Sequence, residues 1–295
     1  MHLVDRLLAT DRRIIYLLVG LGALIPLLIP IGLPVTVTPP VRSAFEKIES
    51  LPAGSVVVIS FDYGPSTAPE NDPQAGAVMR HCFARGIRVV GMALYPLGGL
   101  SVAVEEINKV AAEFPVTYGV DYVNLGYKDG AQAAMRRMNE DLHELFPRDA
   151  SGRPIGELLL MQEVRSLKDT DLVFSFATGI IGEWWINLVN AQFGTPVAVG
   201  STAVGTPKYY AYLKAGQAVG LLGGLKGASE YERLLSDHYP DVARIYESPL
   251  LYTATQGMDI QTIVHLVIIA LVLAGNILYF TSRIMRRSSP GGRRA

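Results

Sequence analysis

Residues 55–61 read SVVVISF and are apolar at nearly every position. A strand with one face in solvent alternates polar and apolar side chains, so this unbroken run indicates a strand that is covered on both faces. Further β-rich runs follow it, separated by helical stretches, at residues 87–94, 121–125, 171–177, 196–200 and 217–222. This alternation is typical of βαβ units. The sequence therefore predicts an α/β, Rossmann-like fold with a doubly wound, mostly parallel sheet of five or six strands.

Two long uncharged segments lie outside this region, near the two ends of the chain. Residues 14–33 read IIYLLVGLGALIPLLIPIGL, and residues 260–281 read IQTIVHLVIIALVLAGNILYFT. Each has the length of about 20 residues that a helix needs to cross the hydrocarbon core of a bilayer. A cleaved signal peptide is the alternative for the first segment, but its apolar stretch is long and no A-x-A-like site follows it. The sequence predicts two transmembrane helices and an integral, two-pass membrane protein.

Basic side chains flank both apolar segments, with three arginines before the first and five after the second. Because basic flanks stay on the cytoplasmic side, both termini are expected in the cytoplasm and the middle of the chain outside the cell membrane. The predicted organisation is a cytoplasmic tail at 1–13, a membrane helix at 14–35, an extracytoplasmic α/β domain at 36–258, a membrane helix at 259–282 and a basic cytoplasmic tail at 283–295. The lipid bilayer is then one partner of the chain.

The composition excludes several other classes of protein. Charged residues make up 18% of the chain, below the roughly 25% of average soluble domains. A net charge of −1 gives no general attraction to nucleic acid. The single cysteine, Cys82, excludes an internal disulfide framework and a cysteine-rich metal site. The sequence predicts no metal and no cofactor.

Polar side chains and glycines follow the predicted strands, in the loops where ligands bind to parallel sheets. The candidate ligand-binding residues are Asp62, Ser66, Thr67, Asn124, Lys128, Thr178, Ser201, Thr202, Gly223, Gly224 and Lys226. The same residue types also form turns and helix caps, which is the alternative explanation for all of them.

Asp62 is the best catalytic candidate, because it comes directly after an apolar strand. Residues 60–66 read SFDYGPS, a string that resembles the first motif, T-F-D-D-G-P, of the polysaccharide deacetylases. In that family the paired aspartates serve as a base and as a metal ligand, so the resemblance implies these roles here. Here Tyr63 stands in place of the second aspartate, and no two histidines have the H-S/T-x-x-H spacing, so the implied metal lacks its ligands. The alternative role of Asp62 is to accept hydrogen bonds from amides in the 64–67 turn.

Residues 220–229 read GLLGGLKGAS and form a second candidate. A strand, a Gly–Gly turn, Lys226 and a helix start would direct backbone amides and a cation at a small anionic ligand. No Ser or Thr follows the lysine, so the string is not a P-loop. Close packing of a helix on the sheet is the alternative.

The second apolar segment contains His265 and Asn276, which are eleven residues apart. Eleven residues make about three helical turns, so both side chains can share one face. Polar groups in hydrocarbon favour contact with another helix. The sequence predicts transmembrane polar contacts, with the first helix at Gly20 and Gly22, with a second copy of the chain, or with other membrane subunits.

No complete catalytic set of residues is visible in the sequence. The first hypothesis is therefore a membrane-anchored extracytoplasmic domain that serves as a binding or interaction subunit of a membrane assembly. The alternative is a membrane-bound hydrolase or transferase that acts on envelope carbohydrate or a phosphorylated substrate through Asp62. Whether the chain is an enzyme stays open at this point.

Overall fold

The computed structural model describes residues 11–29, 31–248, 251 and 253–288. Residues 1–10 and 289–295 of the two predicted tails lie outside the described residues. The strands are β1 (Val56–Asp62), β2 (Arg88–Ala93), β3 (Tyr122–Tyr127), β4 (Leu172–Ala177), β5 (Val197–Ser201) and β6 (Gly220–Gly223). They form one six-stranded sheet in the order β3-β2-β1-β4-β5-β6, and every neighbouring pair is parallel. The predicted α/β fold with a mostly parallel sheet of five or six strands is confirmed, and the sheet has six strands, all parallel.

The described helices surround this sheet or lie near the ends of the chain. In chain order they are α1 (Arg12–Leu28), α2 (Pro39–Glu49), α3 (Ala68–Ala84), α4 (Gly99–Ala111), α5 (Ala131–Glu140), α6 (Leu142–Leu145), α7 (Leu159–Glu163), α8 (Ile181–Trp184), α9 (Ala191–Phe193), α10 (Tyr209–Lys214), α11 (Gly224–His238), α12 (Pro240–Tyr246) and α13 (Ala254–Ser288). A π-helical segment, Trp185–Asn190, joins α8 to α9. Short 3₁₀ segments lie at Ile155–Glu157, Leu167–Asp169 and Thr206–Lys208.

Both faces of the sheet are buried, which explains the unbroken apolar run of β1. All seven residues of β1 are buried. Val57 and Ile59 belong to a core shared with α2, α3, α4, α11 and α12. Val56 and Val58 point to the other face and belong to a core shared with α5, α6, α7, α8 and α10. The direction of the strand order reverses between β1 and β4, and sheets of this kind bind ligands beyond the carboxyl ends of the strands at such a reversal.

The chain divides into two compact units. Residues 34–255, with the sheet, form one, and the described residues of 11–33 and 256–288 form the other. In the described part of the chain, one helix is long and apolar enough to cross a membrane, over Ala254–Ile284.

The expectation of a second membrane helix at 14–35 is not met, because α1 ends at Leu28 and has only 17 residues. At about 1.5 Å per residue this helix is roughly 26 Å long, shorter than the ~30 Å hydrocarbon core. Ile29 precedes Pro30 and is extended, since a following proline disfavours helical backbone.

α1 lies antiparallel to α13. A Cβ atom added at Gly22 would lie 3.3 Å from Cγ2 of Val267 and 3.8 Å from Cγ2 of Ile263. Farther along α1, the backbone oxygen of Leu27 accepts a hydrogen bond from Gln256 at 2.9 Å. As residue numbers rise along α1, those of its contacts in α13 therefore fall.

The segment after α1 is held by a carboxylate of α13. The Asp259 side chain accepts hydrogen bonds from the backbone amides of Ile31, Gly32 and Leu33 at 3.1, 2.8 and 3.1 Å. Asp259 is buried, so these amides supply the polar contacts that its carboxylate would otherwise make with water.

Candidate functional site

A cleft with a cavity of about 780 Å³ lies at the carboxyl ends of β2, β3 and β4. Three strand-to-helix loops and the first turns of α5 and α8 form its walls. Its lining residues are Leu94, Tyr95, Pro96, Asp129, Gly130, Ala131, Gln132, Ala133, Arg136, Thr178, Gly179, Ile180, Ile181 and Trp184. The volume is in the range of small-molecule sites.

One side of the cleft attracts negative charge. α5 begins here, and no side chain caps its first amides, which point along the helix axis with the positive end of the helix dipole. Arg136 lies one turn further along, is exposed, and forms no ion pair within the described residues. The carboxylate of Asp129 accepts hydrogen bonds from Gly130 N at 2.8 Å and Tyr127 Oη at 3.2 Å. Asp129 is the single acidic residue among the lining residues.

The opposite side of the cleft is apolar and aromatic. Tyr95 and Pro96 face it from the loop after β2, and Ile180, Ile181 and Trp184 from the loop after β4 and from α8. A cleft with one cationic side and one apolar side suits an organic molecule that carries an anionic group on an apolar or aromatic body.

Asp62, the last residue of β1, is fully buried and contacts the backbone of Leu94, one of the lining residues of the cleft. Its carboxylate accepts hydrogen bonds from Leu94 N at 3.0 Å, Ser175 Oγ at 2.9 Å and Trp185 Nε1 at 2.7 Å. Burial raises the pKa of the Asp62 carboxyl, and these hydrogen bonds lower it in part. The carboxylate thus joins β1 to the loop after β2, to β4 and to the segment after α8. The proposed hydrogen-bonding role is observed, but the donors are not the amides of the 64–67 turn.

The loop after β1 and the start of α3 are hydrogen-bonded to two neighbouring loops. Thr67 Oγ1 lies 2.9 Å from Thr178 Oγ1, which ties this loop to the one after β4. The Glu70 carboxylate accepts a hydrogen bond from Ala203 N at 2.8 Å, which ties it to the loop after β5. Ser66 is exposed and does not line the cleft.

Asn124 and Lys128 lie near the cleft without lining it. The Asn124 side chain is buried in β3 and accepts a hydrogen bond from Gly126 N at 2.9 Å. The Lys128 ammonium lies 5.9 Å from the ring centroid of Phe146, a cation–π distance.

The remaining candidate residues, from Ser201 to Lys226, lie at the other end of the strand order, at or after the ends of β5 and β6. A smaller cavity of about 280 Å³ is lined there by Gly223 and Lys226, with Thr206 beside them. Ser201 Oγ lies 3.0 Å from Thr206 Oγ1, and Thr202 Oγ1 accepts a long hydrogen bond from Gly205 N at 3.3 Å. The structure thus separates the sequence candidates into two groups.

The predicted anion site at residues 220–229 has a neutralised cation. Lys226 forms an ion pair with Glu230 one turn further along α11. A Cβ atom at Gly224 would lie 2.8 Å from the Cβ of Ala203, and the Gly224 carbonyl accepts a hydrogen bond from Gln74 at 3.1 Å. These contacts favour the close-packing explanation of the Gly–Gly turn.

His265 and Asn276 both have exposed side chains on α13. The contact of α13 with α1 is made elsewhere, at Ile263 and Val267 opposite Gly22. Gly20 has open space around it. The polar contact with the first helix is therefore not observed, and a contact with a second copy or another subunit stays a prediction.

The candidate ligand-binding residues from the sequence include Thr178 of this cleft but not Arg136, Tyr95 or Trp184. One signal in the sequence could have indicated Arg136: a predicted helix starts shortly after the end of β3, and Arg136 lies in the early turns of that helix. Within the described residues, no group of three or more His, Cys, Asp or Glu side chains could hold a metal ion. No protein family model, curated protein or solved structure matches the chain.

Proposed function

We propose that the chain is a membrane-anchored binding domain that holds a small organic anion in the cleft between the ends of β2, β3 and β4. The observation that carries this proposal is the pairing of the uncapped α5 amides and Arg136 with an apolar wall at Tyr95 and Trp184. Neutral amides at a helix start and a guanidinium together favour a carboxylate, sulfonate or phosphate.

Binding is favoured over hydrolysis or group transfer by the chemistry of the lining. Its residues include no His, Cys, Ser, Lys or Glu, and the Thr178 hydroxyl is engaged by Thr67. Asp62, on which the enzymatic alternative depends, has its carboxylate enclosed by three protein donors. A substrate would have to displace one of these donors before it could reach the carboxylate.

The anchor in this proposal is α13, with the basic C-terminal end of the chain in the cytoplasm and the sheet domain outside the cell membrane. The arginines that follow the apolar part of α13, which include Arg283, support this orientation, because basic flanks stay on the cytoplasmic side. The exposed His265 and Asn276 support a further role in a membrane assembly, since polar groups in hydrocarbon favour a helix partner.

The test uses the full chain in a non-ionic detergent and native mass spectrometry with 8-anilinonaphthalene-1-sulfonate, a probe with an aromatic body and one sulfonate. We expect one bound probe molecule per chain. Arg136→Gln removes the cation of the cleft and is expected to weaken binding about tenfold, the effect of about 1.4 kcal/mol.

The matched control is Arg137→Gln, the neighbouring exposed arginine of α5, which does not line the cleft. We expect it to bind the probe like the unaltered chain. Equal binding by all three proteins, or no binding by any, contradicts the proposal. Small molecules that remain bound through purification would appear in the same spectra and identify the natural ligand class.

A further inference from the structure

The helix α13 has two sides that differ in burial. Its half-buried side includes Val267, Leu271 and Leu278, and Val267 lies against Gly22 of α1. Asn276 follows Val267 by nine residues, which is two and a half turns at about 3.6 residues per turn. Asn276 is exposed and therefore lies on the side of α13 that faces away from α1.

A line of exposed side chains runs along this outward side and is called the α13 seam below. Its members are separated by steps of four, three, four and three positions. They are His265, Ile269, Val272, Asn276 and Tyr279, and all five are exposed. A mean step of about 3.5 residues keeps one line of side chains facing the same partner helix in a left-handed helix pair.

The α13 seam contains two polar side chains within the uncharged segment 260–281, at His265 and Asn276. In hydrocarbon these groups have no water to bond with, which favours a helix that supplies polar partners at the same two depths. α1 is not that helix, because it contacts the other side of α13. The α13 seam therefore favours a partner from outside this chain.

A second copy of the chain supplies the required groups. Two copies inserted in the same orientation have parallel α13 helices, and a two-fold axis places each seam residue opposite its equal. An asparagine amide both donates and accepts hydrogen bonds, and an uncharged imidazole offers one donor and one acceptor. Asn276 and His265 can each pair with the same residue of the other copy. In parallel coiled coils, a single asparagine in the seam specifies the register and the number of strands.

We propose that the chain forms a parallel homodimer in the membrane through the α13 seam, with Asn276 and His265 as its polar contacts. The proposal rests on the membrane anchor of the proposed function. It goes beyond that function because it names a second copy of this chain as the partner and one side of α13 as the interface. If another membrane subunit were the partner instead, the purified chain would stay monomeric.

The test is disulfide formation between copies of the purified full chain in phosphatidylcholine–phosphatidylglycerol vesicles, with copper phenanthroline as the oxidant. Val272→Cys places a cysteine in the α13 seam. The matched control is Ile277→Cys, which is also exposed and follows Val272 by five residues, about 140° around the helix. Cys82 is fully buried, so it does not link two copies.

We expect severalfold more disulfide-linked dimer from Val272→Cys than from Ile277→Cys over a series of chain-to-lipid ratios. Adding Asn276→Leu to Val272→Cys removes the amide pair and is expected to weaken dimer formation about fivefold, since leucine gains nothing over lipid. Equal linking at 272 and 277 would show random collision, and absence of linking at 272 would show that two copies do not meet there. Either result, or an unchanged dimer fraction with Asn276→Leu, overturns the proposal.

Flotation of the same vesicles after a sodium carbonate wash separates this proposal from the anchor on which it rests. A chain that floats with the lipid but is not linked at position 272 overturns the dimer alone. A chain that carbonate releases from the vesicles overturns the membrane anchor, and the dimer with it.

Discussion

Asp62 shows how the surroundings of a residue in the folded chain decide which contacts it makes. Its position at the end of the first apolar strand was visible in the sequence, but its three hydrogen-bond donors are Leu94 directly after β2, Ser175 in β4 and Trp185 directly after α8. Those residues are 32, 113 and 123 positions away along the chain. No local pattern could have indicated that they meet at one carboxylate.

We expect Asp62→Ala to lower the free energy of unfolding by about 3 kcal/mol, because it leaves buried donors without an acceptor. Urea unfolding followed by tryptophan fluorescence measures this change. The control is Asp129→Ala at the same edge of the sheet, where an exposed carboxylate is lost and the change should stay within about 0.5 kcal/mol. A stable Asp62→Ala protein that binds the probe less well would instead give Asp62 a direct part in binding.

Glu106 is a second buried carboxyl, and it gives the domain a pH dependence. Burial raises its pKa, the charge of Asp72 adds to this, and Lys109 and Arg80 lower it in part. One of its oxygens has no hydrogen-bond partner in the described structure. The pKa of Glu106 is higher in the folded state than in the unfolded state. Its contribution to the free energy of unfolding is therefore most favourable below the unfolded pKa. That contribution is lost as the pH rises through the folded pKa.

Glu106→Gln removes this titration and keeps the size of the side chain. We expect its Tm to exceed that of the unaltered chain at pH 7–8 by about 2–4 °C, the shift that 1 kcal/mol gives in a domain of this size. The difference should vanish near pH 4. The control, Glu113→Gln, breaks a two-point ion pair with Arg80 at 2.6 Å and should lower the Tm at neutral pH. A Tm difference for Glu106→Gln that does not change with pH would contradict this assignment.

At the scale of elements, the sequence predicted the strands well, because each is a short apolar run between turn residues. β1 was expected at 55–61 and lies at Val56–Asp62, and β4 was expected at 171–177 and lies at Leu172–Ala177. α3 begins at Ala68 and contains Pro73 in its second turn, near enough to the start of the helix that few backbone hydrogen bonds are lost.

The order of the strands and the walls of the cleft were not predictable. All the strands are similarly apolar, so their sequences do not specify which two are neighbours. Arg136 and Trp184 lie on separate helices and meet the same cavity only because β2, β1 and β4 are adjacent in the sheet. The site therefore depends on tertiary structure, whereas the candidate loops depend on local sequence.

The pairing of α1 with α13 predicts a difference between two glycines of the same helix. Gly22→Ile places a bulky side chain against Val267, whereas Gly20→Ile points into open space. We expect only Gly22→Ile to separate the helices and to release the amides of residues 31–33 from Asp259. Hydrogen–deuterium exchange in detergent micelles measures this as faster exchange of those amides. Equal exchange in the two variants would show that the helices do not depend on this contact.

At the scale of the whole molecule, the distribution of charge predicts how the chain is oriented in a cell. We expect a cysteine at the exposed position Glu140, in the sheet domain, to react with a membrane-impermeant maleimide in intact cells. A cysteine appended after Ala295 should react only after the membrane is opened. The reverse pattern would invert the orientation, and labelling of both in intact cells would contradict a cytoplasmic C-terminus.

The contact of Asp259 with residues 31–33 has a consequence for cleavage of the chain. A peptidase binds its substrate as an extended strand and pairs with the backbone amides next to the bond that it cuts. In this chain the backbone amides of Ile31, Gly32 and Leu33 already donate hydrogen bonds to the Asp259 carboxylate. We therefore expect that an enzyme that cuts the folded chain at this point first has to break three hydrogen bonds to a buried carboxylate.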